Sequence, residues 1–334
     1  MTRDGAARPT GILATGSYVP KQEVTNEEVA ARVGVDPQWI ADRTQITGRR
    51  WAAPDEAASD LAVQAGLRAL EAAGVAAGEV DYLIVSTGTG DSPQPPTSYL
   101  VQDGIGARDA ACFDISVACS GFVYGIELAR ALLLDRPDGI ALVIAAEVYS
   151  RFADFSDRRT CVLLGDGAGA AVIGAVEAPH GVLAVDLVSR GDAHELIRVE
   201  GGGSRRPASH ETVRDRAHTV SMDGRGVTEF VLAEVPAVLE RVARRAGVEL
   251  SDVDHFVPHQ PNGVLLGRLS EAAGLSRART HRTVERYGNM GSASVAVTLA
   301  EAAPDLAPGD LVLIAGFGGG MAVGATVVHW GVGA

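Results

Sequence analysis

The hydrophobic pattern of the chain changes repeatedly between the period of a helix and that of a buried strand. Helical patterns at 61–74 and 230–247 each end in Ala-Gly-Val and lead, past a Val-Asp pair at the same spacing, into a β-branched run. Later apolar runs also match in pairs, 141–147 with 311–317 and 167–176 with 321–330. Four matches in the same order favour an internal duplication over chance similarity between alanine-rich segments.

Strands that alternate with helices predict an α/β fold in which mainly parallel sheets are covered by helices on both sides. We divide the chain into an N-terminal half, residues 1–178, and a C-terminal half, residues 179–334. The stretch 180–220 is polar and rich in Gly, Arg and Ser, which indicates a surface excursion between the halves.

Composition narrows the class of protein. The 40 glycines and 5% aromatic residues suit tightly packed α/β layers. No apolar run approaches the roughly 18 residues of a membrane span, and MTRDGAARPT lacks the apolar region of a secretory signal. Three cysteines without CxxC spacing predict reduced thiols and a cytoplasmic protein. The net charge of −13 argues against a nucleic-acid partner.

Cys119 is the candidate nucleophile. It follows the apolar run 111–117 and precedes a helical pattern that starts near Gly121. At a helix N-terminus, unpaired backbone N–H groups and the helix dipole favour a thiolate. Free cysteines usually serve as small buried apolar residues, so the local sequence leaves both interpretations of Cys119 open. Cys112 and Cys161 lie inside apolar runs, and we interpret them as core residues.

His259 and Asn289 are the polar candidates of the second half. His259 follows a strand-like run in a proline-held loop, where a histidine can exchange a hydrogen bond with a reacting oxygen. Asn289 follows one glycine and precedes an alanine-rich helical pattern. Taken alone, each residue is better explained by a structural role in its loop. In a duplicated fold, however, both can meet Cys119 across the interface between the halves.

Two glycine-rich strings complete the set of candidates. GDGAGAAVIGAV leads into a strand pattern, which excludes a Rossmann phosphate loop because that loop opens a helix. GFGGGMAVG also precedes a strand, and its glycines let a backbone N–H approach a substrate oxygen. The chain has neither metal-ligand spacing nor a GxSxG nucleophile elbow.

Seven ordered segments resemble the β-ketoacyl-[acyl-carrier-protein] synthase III family. They are GSYVP, NEEVAARVGVDPQWIADRTQI, FDISVACSGF, DRRTCVLLGDGAGAAV, HQPN, GNMGSASV and GFGGGMAVGA. The similarity runs from about Gly11 to Trp330. It implies a thiolase fold of two related halves in five αβαβα layers, and a homodimer. It also implies coenzyme A thioesters as substrates, with neither a metal nor another cofactor.

The resemblance further implies a condensing mechanism. Cys119 would take an acyl group from acyl-CoA; malonyl-ACP would then lose CO₂, and its carbanion would attack the acyl-cysteine. The side chains of His259 and Asn289 would hydrogen-bond the malonyl thioester oxygen. The backbone N–H groups of Cys119 and Gly319 would form the oxyanion site for the acyl carbonyl.

The residues that the resemblance assigns to coenzyme A lie in both halves. They are Trp39, Arg43, Arg158 and Asn262. Trp39 and Arg158 would enclose the adenine by stacking and cation–π contact, and Arg43 would bind a phosphate.

The chain departs from the family pattern at two informative positions. Gln94 replaces an aromatic residue before a proline, and we assign it, with Met321, to a pocket for an acyl group larger or more polar than acetyl. Val264 replaces a basic residue used to dock the carrier protein, although Arg268, one turn later, can substitute. These departures favour priming of a specialised pathway, such as polyketide biosynthesis, over initiation of fatty acids.

Two other functions remain open from sequence alone. One is an acyltransferase that passes the acyl group to an alcohol, amine or carrier thiol without forming a carbon–carbon bond. The other is a catalytically silent scaffold subunit. The presence of Cys119 with both His259 and Asn289 favours condensation over either.

Overall fold

Two five-stranded sheets form the centre of the fold. The computed structural model describes residues 8–331. The segment MTRDGAARPT, in which the sequence predicts no secretory signal, therefore lies mostly outside the described residues. The strands are β1 (Thr10–Tyr18), β2 (Gln22–Thr25), β3 (Gly48–Trp51), β4 (Tyr82–Ser86), β5 (Ala111–Ile115), β6 (Ala141–Val148), β7 (Asp166–Ala175), β8 (Gly181–Ser189), β9 (Ile197–Arg198), β10 (Ser221–Met222), β11 (His255–Pro258), β12 (Arg279–Thr280), β13 (Leu311–Gly318) and β14 (Ala322–His329).

The two sheets share one topology, which confirms the duplication. The first sheet has the order β1-β7-β6-β4-β5 and the second β8-β14-β13-β11-β12. In both, the first two pairings are antiparallel and the last two are parallel. The matched apolar runs fall on equivalent strands, β6 with β13 and β7 with β14. The division after residue 178 falls between β7 and β8, which lie in different sheets, and it stays a prediction.

Helices form three layers around the sheets. The α-helices are α1 (Asn26–Val33), α2 (Pro37–Thr44), α3 (Ala58–Ala73), α4 (Thr97–Ile105), α5 (Gly121–Leu132), α6 (His210–Arg214), α7 (Gly224–Ala246), α8 (Gly263–Ala272), α9 (Val284–Tyr287) and α10 (Ala293–Ala302). Helices α3 and α4 pack on the first sheet, and α7 and α8 pack on the second. Helices α5 and α10 fill the space between the sheets. The predicted five-layer αβαβα thiolase fold is therefore confirmed.

The central helices owe their position to their composition. Helix α10 has apolar residues on every side, and such a helix is stable only when it is buried all round. On α5, Phe122, Val123 and Ile126 face the same core, and all three are fully buried. Loss of such a large core side chain costs about 3–5 kcal/mol of unfolding free energy. The halves therefore share one core and bring the starts of α5 and α10 close together.

The stretch 180–220 differs from its predicted structure. Residues 181–189 form β8, an edge strand of the second sheet, and the excursion begins only after it. An edge strand has one neighbour and several exposed positions, so its pattern resembles that of a loop. The rest of the stretch contains β9 and the short helix α6.

A smaller layer covers the site end of the N-terminal half. Helices α1 and α2 and the β2–β3 hairpin bury their apolar side chains against the segment 161–164. Helix α2 starts at Pro37, with the Asp36 side chain accepting a hydrogen bond from the Gln38 N–H at 2.7 Å. None of the described helices combines the length and apolarity needed to cross a membrane.

Candidate active site

Cys119 lies in a strained turn between β5 and α5. The turn is the short 3₁₀ segment Ala118–Ser120, and Ala118 has a φ of 43°, which is unusual for a residue other than glycine. The Ser120 hydroxyl contacts the carbonyl oxygens of Gly316 and Ala322 at 3.2 and 3.0 Å. The second half therefore holds the turn in place and leaves Cys119 9% exposed.

Two glycines of β13 allow this close approach. A Cβ atom at Gly316 would lie 2.8 Å from the Cys119 carbonyl oxygen, and a Cβ atom at Gly318 would lie 2.8 Å from Cys119 Sγ. Both positions therefore require glycine. Gly319 is the residue directly after β13, and its backbone N–H and that of Cys119 both stabilise negative charge on the Cys119 sulfur.

The resting thiol of Cys119 is protonated at neutral pH. Burial raises its pKa to about 12, and the charge of Glu147 acts in the same direction. The N–H groups of Gly319 and Cys119 oppose this shift without cancelling it. The backbone donors act in the direction predicted from the sequence, but burial outweighs them.

His259 is a neutral hydrogen-bond donor at the end of β11. Its backbone N–H donates to Ala315 at 2.7 Å, and its ring makes an edge contact with Phe317, with 5.4 Å between centroids. Burial lowers the pKa of His259 to about 3, although the Gly291 carbonyl acts in the opposite direction. Its Nδ1 atom is buried with no hydrogen-bond partner in residues 8–331. A neutral imidazole retains one N–H to donate.

Asn289 is oriented by the turn that precedes α10. Its backbone bonds to both sides of the 163–165 segment, donating to Leu163 at 2.7 Å and accepting from Gly165 at 3.0 Å. Its side-chain Oδ1 accepts the Gly291 N–H at 2.9 Å. The amide oxygen is therefore occupied, and Nδ2 is the end left to donate to a ligand.

Cys119 and Gly319 meet at the end of β13, and His259 and Asn289 lie on neighbouring loops of the second half. Strands β11 and β13 run parallel, so His259 leaves the sheet beside the part of β13 that supports Cys119. Asn289 joins them through Gly291, which contacts both His259 and the Asn289 side chain. Their individual roles stay a prediction.

A cavity of about 210 Å³, which we call the Trp39 cavity, leads toward this site. Trp39, Arg43, Asn262 and Asn289 all line it. The Asn262 Oδ1 caps α8 by accepting from the Leu265 N–H at 2.8 Å, so only its NH₂ group is free for a ligand.

The remaining predicted coenzyme A residue, Arg158, lies beside the Trp39 cavity. Its guanidinium is 5.6 Å from the centroid of the Trp39 ring, so the two side chains contact each other directly, whereas the sequence predicts that they enclose an adenine. The neighbouring Arg159 lines the cavity and was not identified from the sequence.

A second cavity of about 410 Å³, which we call the Met321 cavity, adjoins the Cys119 turn. Ala118, Gly319 and Met321 line one side of it, and Tyr149 and Val220 are among the residues of the other. The assignment of Met321 to an acyl pocket stays a prediction. Gln94 does not line this cavity within one chain, because it is exposed in the loop between β4 and α4.

Glu147 is a residue of this region that sequence reasoning missed. It is fully buried at the end of β6, and it accepts hydrogen bonds from the Thr89 and Ser292 hydroxyls at 2.7 and 2.8 Å. The signal was a single acidic residue in the otherwise apolar run 141–148. Such a residue is costly to bury and therefore calls for an explanation.

The cysteines and the acidic side chains form no other candidate centre. Cys112, Cys119 and Cys161 are free thiols; Cys161 is buried, as predicted for a core residue, and Cys112 is half-buried on β5. Across the described range 8–331, no group of three or more His, Cys, Asp or Glu side chains is arranged to hold a metal ion.

Comparison with known proteins agrees with the fold. A family model for 3-oxoacyl-[acyl-carrier-protein] synthase III matches residues 113–191, and the model of its C-terminal part matches residues 243–330. The acetoacetyl CoA synthase NphT7 of Streptomyces sp. (strain CL190) is 46% identical over 96% of this chain and 98% of its own.

Two further relatives are similar over nearly the whole chain. The β-ketoacyl-[acyl-carrier-protein] synthase III of Caldanaerobacter subterraneus subsp. tengcongensis is 40% identical over 96% of this chain and 97% of its own. The crystal structure of the priming β-ketosynthase from the R1128 polyketide biosynthetic pathway superposes with a TM-score of 0.90 at 32% identity, covering 100% of this chain and 99% of that one. The chain belongs to the 3-oxoacyl-[acyl-carrier-protein] synthase III family.

Proposed function

We propose that this enzyme condenses an acyl group from acyl-CoA with a malonyl thioester, with loss of CO₂. The observation that carries this proposal is the pair of neutral donors beside a buried thiol. His259 is held neutral by burial, and Asn289 has its amide oxygen occupied and its NH₂ free. Decarboxylation of a malonyl thioester places negative charge on the thioester oxygen, which two such donors stabilise.

The first step loads the nucleophile. The Cys119 sulfur attacks the thioester carbonyl of acyl-CoA, the bond from that carbonyl to the coenzyme A sulfur breaks, and the thiol proton ends on the departing coenzyme A. The N–H groups of Cys119 and Gly319, which stabilise charge at the sulfur, also suit the oxyanion of the tetrahedral intermediate. The product of this step is acyl-Cys119 and free coenzyme A.

The second step forms the carbon–carbon bond. The malonyl thioester loses CO₂, and the resulting enolate, hydrogen-bonded to His259 and Asn289, attacks the carbonyl carbon of acyl-Cys119. The carbon–sulfur bond breaks, the Cys119 thiolate takes a proton from solvent, and a 3-oxoacyl thioester leaves. The high pKa of Cys119 favours this reprotonation and returns the enzyme to its resting thiol.

We assign the Trp39 cavity to coenzyme A. Trp39 and Arg43 lie one turn apart on α2, which presents an aromatic face and a cation to the same ligand. Arg158 already covers the Trp39 ring, so adenine binding displaces its guanidinium. Asn289 also lines this cavity, so coenzyme A bound there would hold its thioester near Asn289.

We assign the Met321 cavity to the acyl group. Its volume of about 410 Å³ supports a group larger than acetyl. Incubation with a panel of acyl-CoA esters, followed by intact-protein mass spectrometry, tests this assignment. Loading of longer acyl groups at rates at least equal to acetyl is the expected result, and loading of acetyl alone contradicts it.

The acceptor is either a carrier-protein thioester or a coenzyme A thioester. Val264 is 37% exposed at the start of α8, where the family carries a basic docking residue, while Arg268 is exposed one turn later. The absence of a basic residue at position 264 and the 46% identity to an acetoacetyl CoA synthase favour malonyl-CoA as a second candidate acceptor. Acyl-loaded enzyme offered malonyl-ACP and malonyl-CoA separately distinguishes the two by the mass of the product.

The same experiment tests the acyltransferase alternative. An enzyme that only transfers the acyl group regenerates free Cys119 without releasing CO₂. Condensation yields a 3-oxoacyl product and one CO₂ for each acyl-Cys119 consumed. Transfer to an alcohol, amine or carrier thiol without CO₂ release overturns the proposed function.

We also propose that the enzyme acts as a homodimer formed at the β5 edge. Every residue of β5 is at least partly exposed, and Tyr99 and Leu100 on the adjoining α4 expose apolar surface, with 53% and 39% of each residue accessible. Sedimentation analysis should give a dimer for the wild type and a monomer for Tyr99→Glu/Leu100→Lys. Leu134→Glu, at an exposed apolar residue elsewhere, is the matched control. A monomeric wild type contradicts the proposal.

A further inference from the structure

Glu147 connects the two halves of the protein beneath the active site. The carboxylate is fully buried and accepts from the first half through the Thr89 hydroxyl at 2.7 Å and the Gly88 N–H at 3.1 Å. From the second half it accepts the Ser292 hydroxyl at 2.8 Å. Ser292 is the residue before α10 and lies three positions after Asn289.

The donors around Glu147 are hydroxyls and amides, with no cation among them. In residues 8–331, no Lys, Arg or His forms a salt bridge with it, and burial raises its pKa to about 7. The titratable groups that its charge affects include Cys119, in the turn before α5, and Tyr149, just past the end of β6. Its charge raises the pKa of both groups. A buried carboxylate without a cation is expensive, which points to a function for this residue.

The packing around Glu147 reaches the amide of Asn289 directly. A Cβ atom at Gly291 would lie 3.2 Å from Glu147 Cγ and 2.2 Å from the Tyr149 ring, so the turn rests on both side chains. The N–H of the same Gly291 orients the Asn289 amide at 2.9 Å. A change in the carboxylate is therefore transmitted to Asn289 through Ser292 and Gly291.

We propose that Glu147 is a positioning residue for the condensation step, which holds the Asn289 turn in register and adds negative charge to the surroundings of Cys119. This inference rests on the proposed condensing function and extends it. Neither effect requires Glu147 to touch a substrate. The first acts on condensation and the second on the free thiol, so they can be measured separately.

Glu147→Gln tests both effects. The glutamate and glutamine side chains have nearly the same shape. The NH₂ group of glutamine, however, would face the N–H and O–H donors from which the carboxylate accepts hydrogen bonds. We expect the condensation rate to fall at least about tenfold, while acyl loading stays within about threefold of the wild type. Alkylation of Cys119 by iodoacetamide should become faster above pH 7, where the wild-type carboxylate is charged. Below about pH 6 the two proteins should react alike, because Glu147 is then protonated in the wild type.

Two further variants separate position from charge. Ser292→Ala removes one donor and keeps the carboxylate, so condensation should weaken with no increase in alkylation above pH 7. Asp186→Asn alters another buried carboxylate, which lies on β8, pairs with Arg241 and Arg245 and has no contact with the Asn289 turn, and it should leave the alkylation profile unchanged.

Two results would overturn the assignment of Glu147. One is an equal loss of loading and condensation in Glu147→Gln, or no loss of either. The other is an alkylation profile identical to that of the wild type at every pH. If Glu147→Gln does not fold, Ser292→Ala decides the positional part by the same loading and condensation assays. A wild type that loads but releases no CO₂ overturns the proposed function instead, which keeps the two failures distinct.

Discussion

At the scale of single residues, the site depends on a thiol whose ionisation its surroundings oppose. Burial and the charge of Glu147 both raise the pKa of Cys119, and only two backbone N–H groups act against them. A thiol of this kind resists modification in the free enzyme. Its thiolate is a poor leaving group, so its release from the acyl-enzyme is favoured by reprotonation. The N–H groups of Cys119 and Gly319 therefore matter most in the transition states, when negative charge appears beside them.

Cys119→Ala should abolish acyl loading. The adduct measured by intact-protein mass spectrometry with acyl-CoA should disappear, because Cys119 is the cysteine held beside the backbone N–H groups that suit the oxyanion. Cys161→Ala is the matched control, since it removes a buried thiol from the core and should keep the adduct. An adduct that persists in Cys119→Ala would mean that the nucleophile is a different residue.

The sequence identifies the candidate residues that end a strand or start a helix, because those positions are visible in its pattern. Cys119, His259 and Asn289 are of this kind, and the fold brings them together. Glu147 was missed, since its importance comes from hydrogen bonds with Gly88, Thr89 and Ser292, which are distant in the chain. The net rise in the pKa of the Cys119 thiol could not be predicted, because burial is a property of the whole fold.

At the scale of elements, the hairpin of β13 and β14 supports the nucleophile. Gly316 and Gly318 lie against the Cys119 turn, and the Ser120 hydroxyl contacts the hairpin from the other side. The glycine string was recognisable in the sequence, but which glycine meets the sulfur depends on strand register. Register is fixed by pairing with β11 and β8, which lie far away in sequence.

Gly318→Ala should impair loading at least about tenfold. The added methyl group would lie 2.8 Å from Cys119 Sγ, so the turn must shift or the strand must move, at a typical cost of about 1–3 kcal/mol. The initial rate of acyl-Cys119 formation measures the effect. Gly267→Ala, in α8, meets open space and should leave loading unchanged while raising stability by up to about 1 kcal/mol. Equal loading in the two variants would contradict the close packing.

The internal duplication explains why the repeated helices and strands were predicted better than the stretch 180–220. Each half follows one order of strands and helices, so a pattern found once could be checked against its copy. Segment 181–189 lacked that support, because its partner β1 has a different sequence pattern and β8 lies at an edge. Tertiary pairing with β14 therefore decides its structure, and local pattern does not.

At the scale of the whole molecule, buried histidines make the fold sensitive to acid. Burial lowers the pKa of His259 to about 3 and that of His281 to about 4, below the ordinary value of 6.5. Between about pH 4 and 6.5 the unfolded chain binds protons that the folded chain does not, so the free energy of unfolding falls as the pH falls.

Urea unfolding between pH 7 and pH 4 measures this dependence. The wild type should lose stability steadily over that range, and His281→Asn should show a shallower slope because one of the two buried imidazoles is absent. His281 lies outside the active site and bonds to His255 at 2.9 Å, so its replacement isolates the effect on stability. Identical slopes in wild type and variant would show that His281 already titrates normally in the folded state.

The whole molecule also combines its two halves into one reaction site. The proposed nucleophile comes from the first half and the proposed donor pair from the second, and α5 and α10 pack between the two sheets. In the proposed mechanism, loading needs Cys119 and its backbone donors, whereas decarboxylation needs His259 and Asn289 in addition. Variants of the second half should therefore separate the two steps.

The most direct test of condensation is a single turnover with carboxyl-labelled malonyl thioester on acyl-loaded enzyme. We predict that the wild type releases one CO₂ and one 3-oxoacyl thioester for each acyl-Cys119. Asn289→Ala should load normally but release CO₂ about 100-fold more slowly or worse, the typical cost of losing one oxyanion donor. Acyl transfer from the wild type without CO₂ release, or an equal loss of both steps in folded Asn289→Ala, would contradict the proposed mechanism.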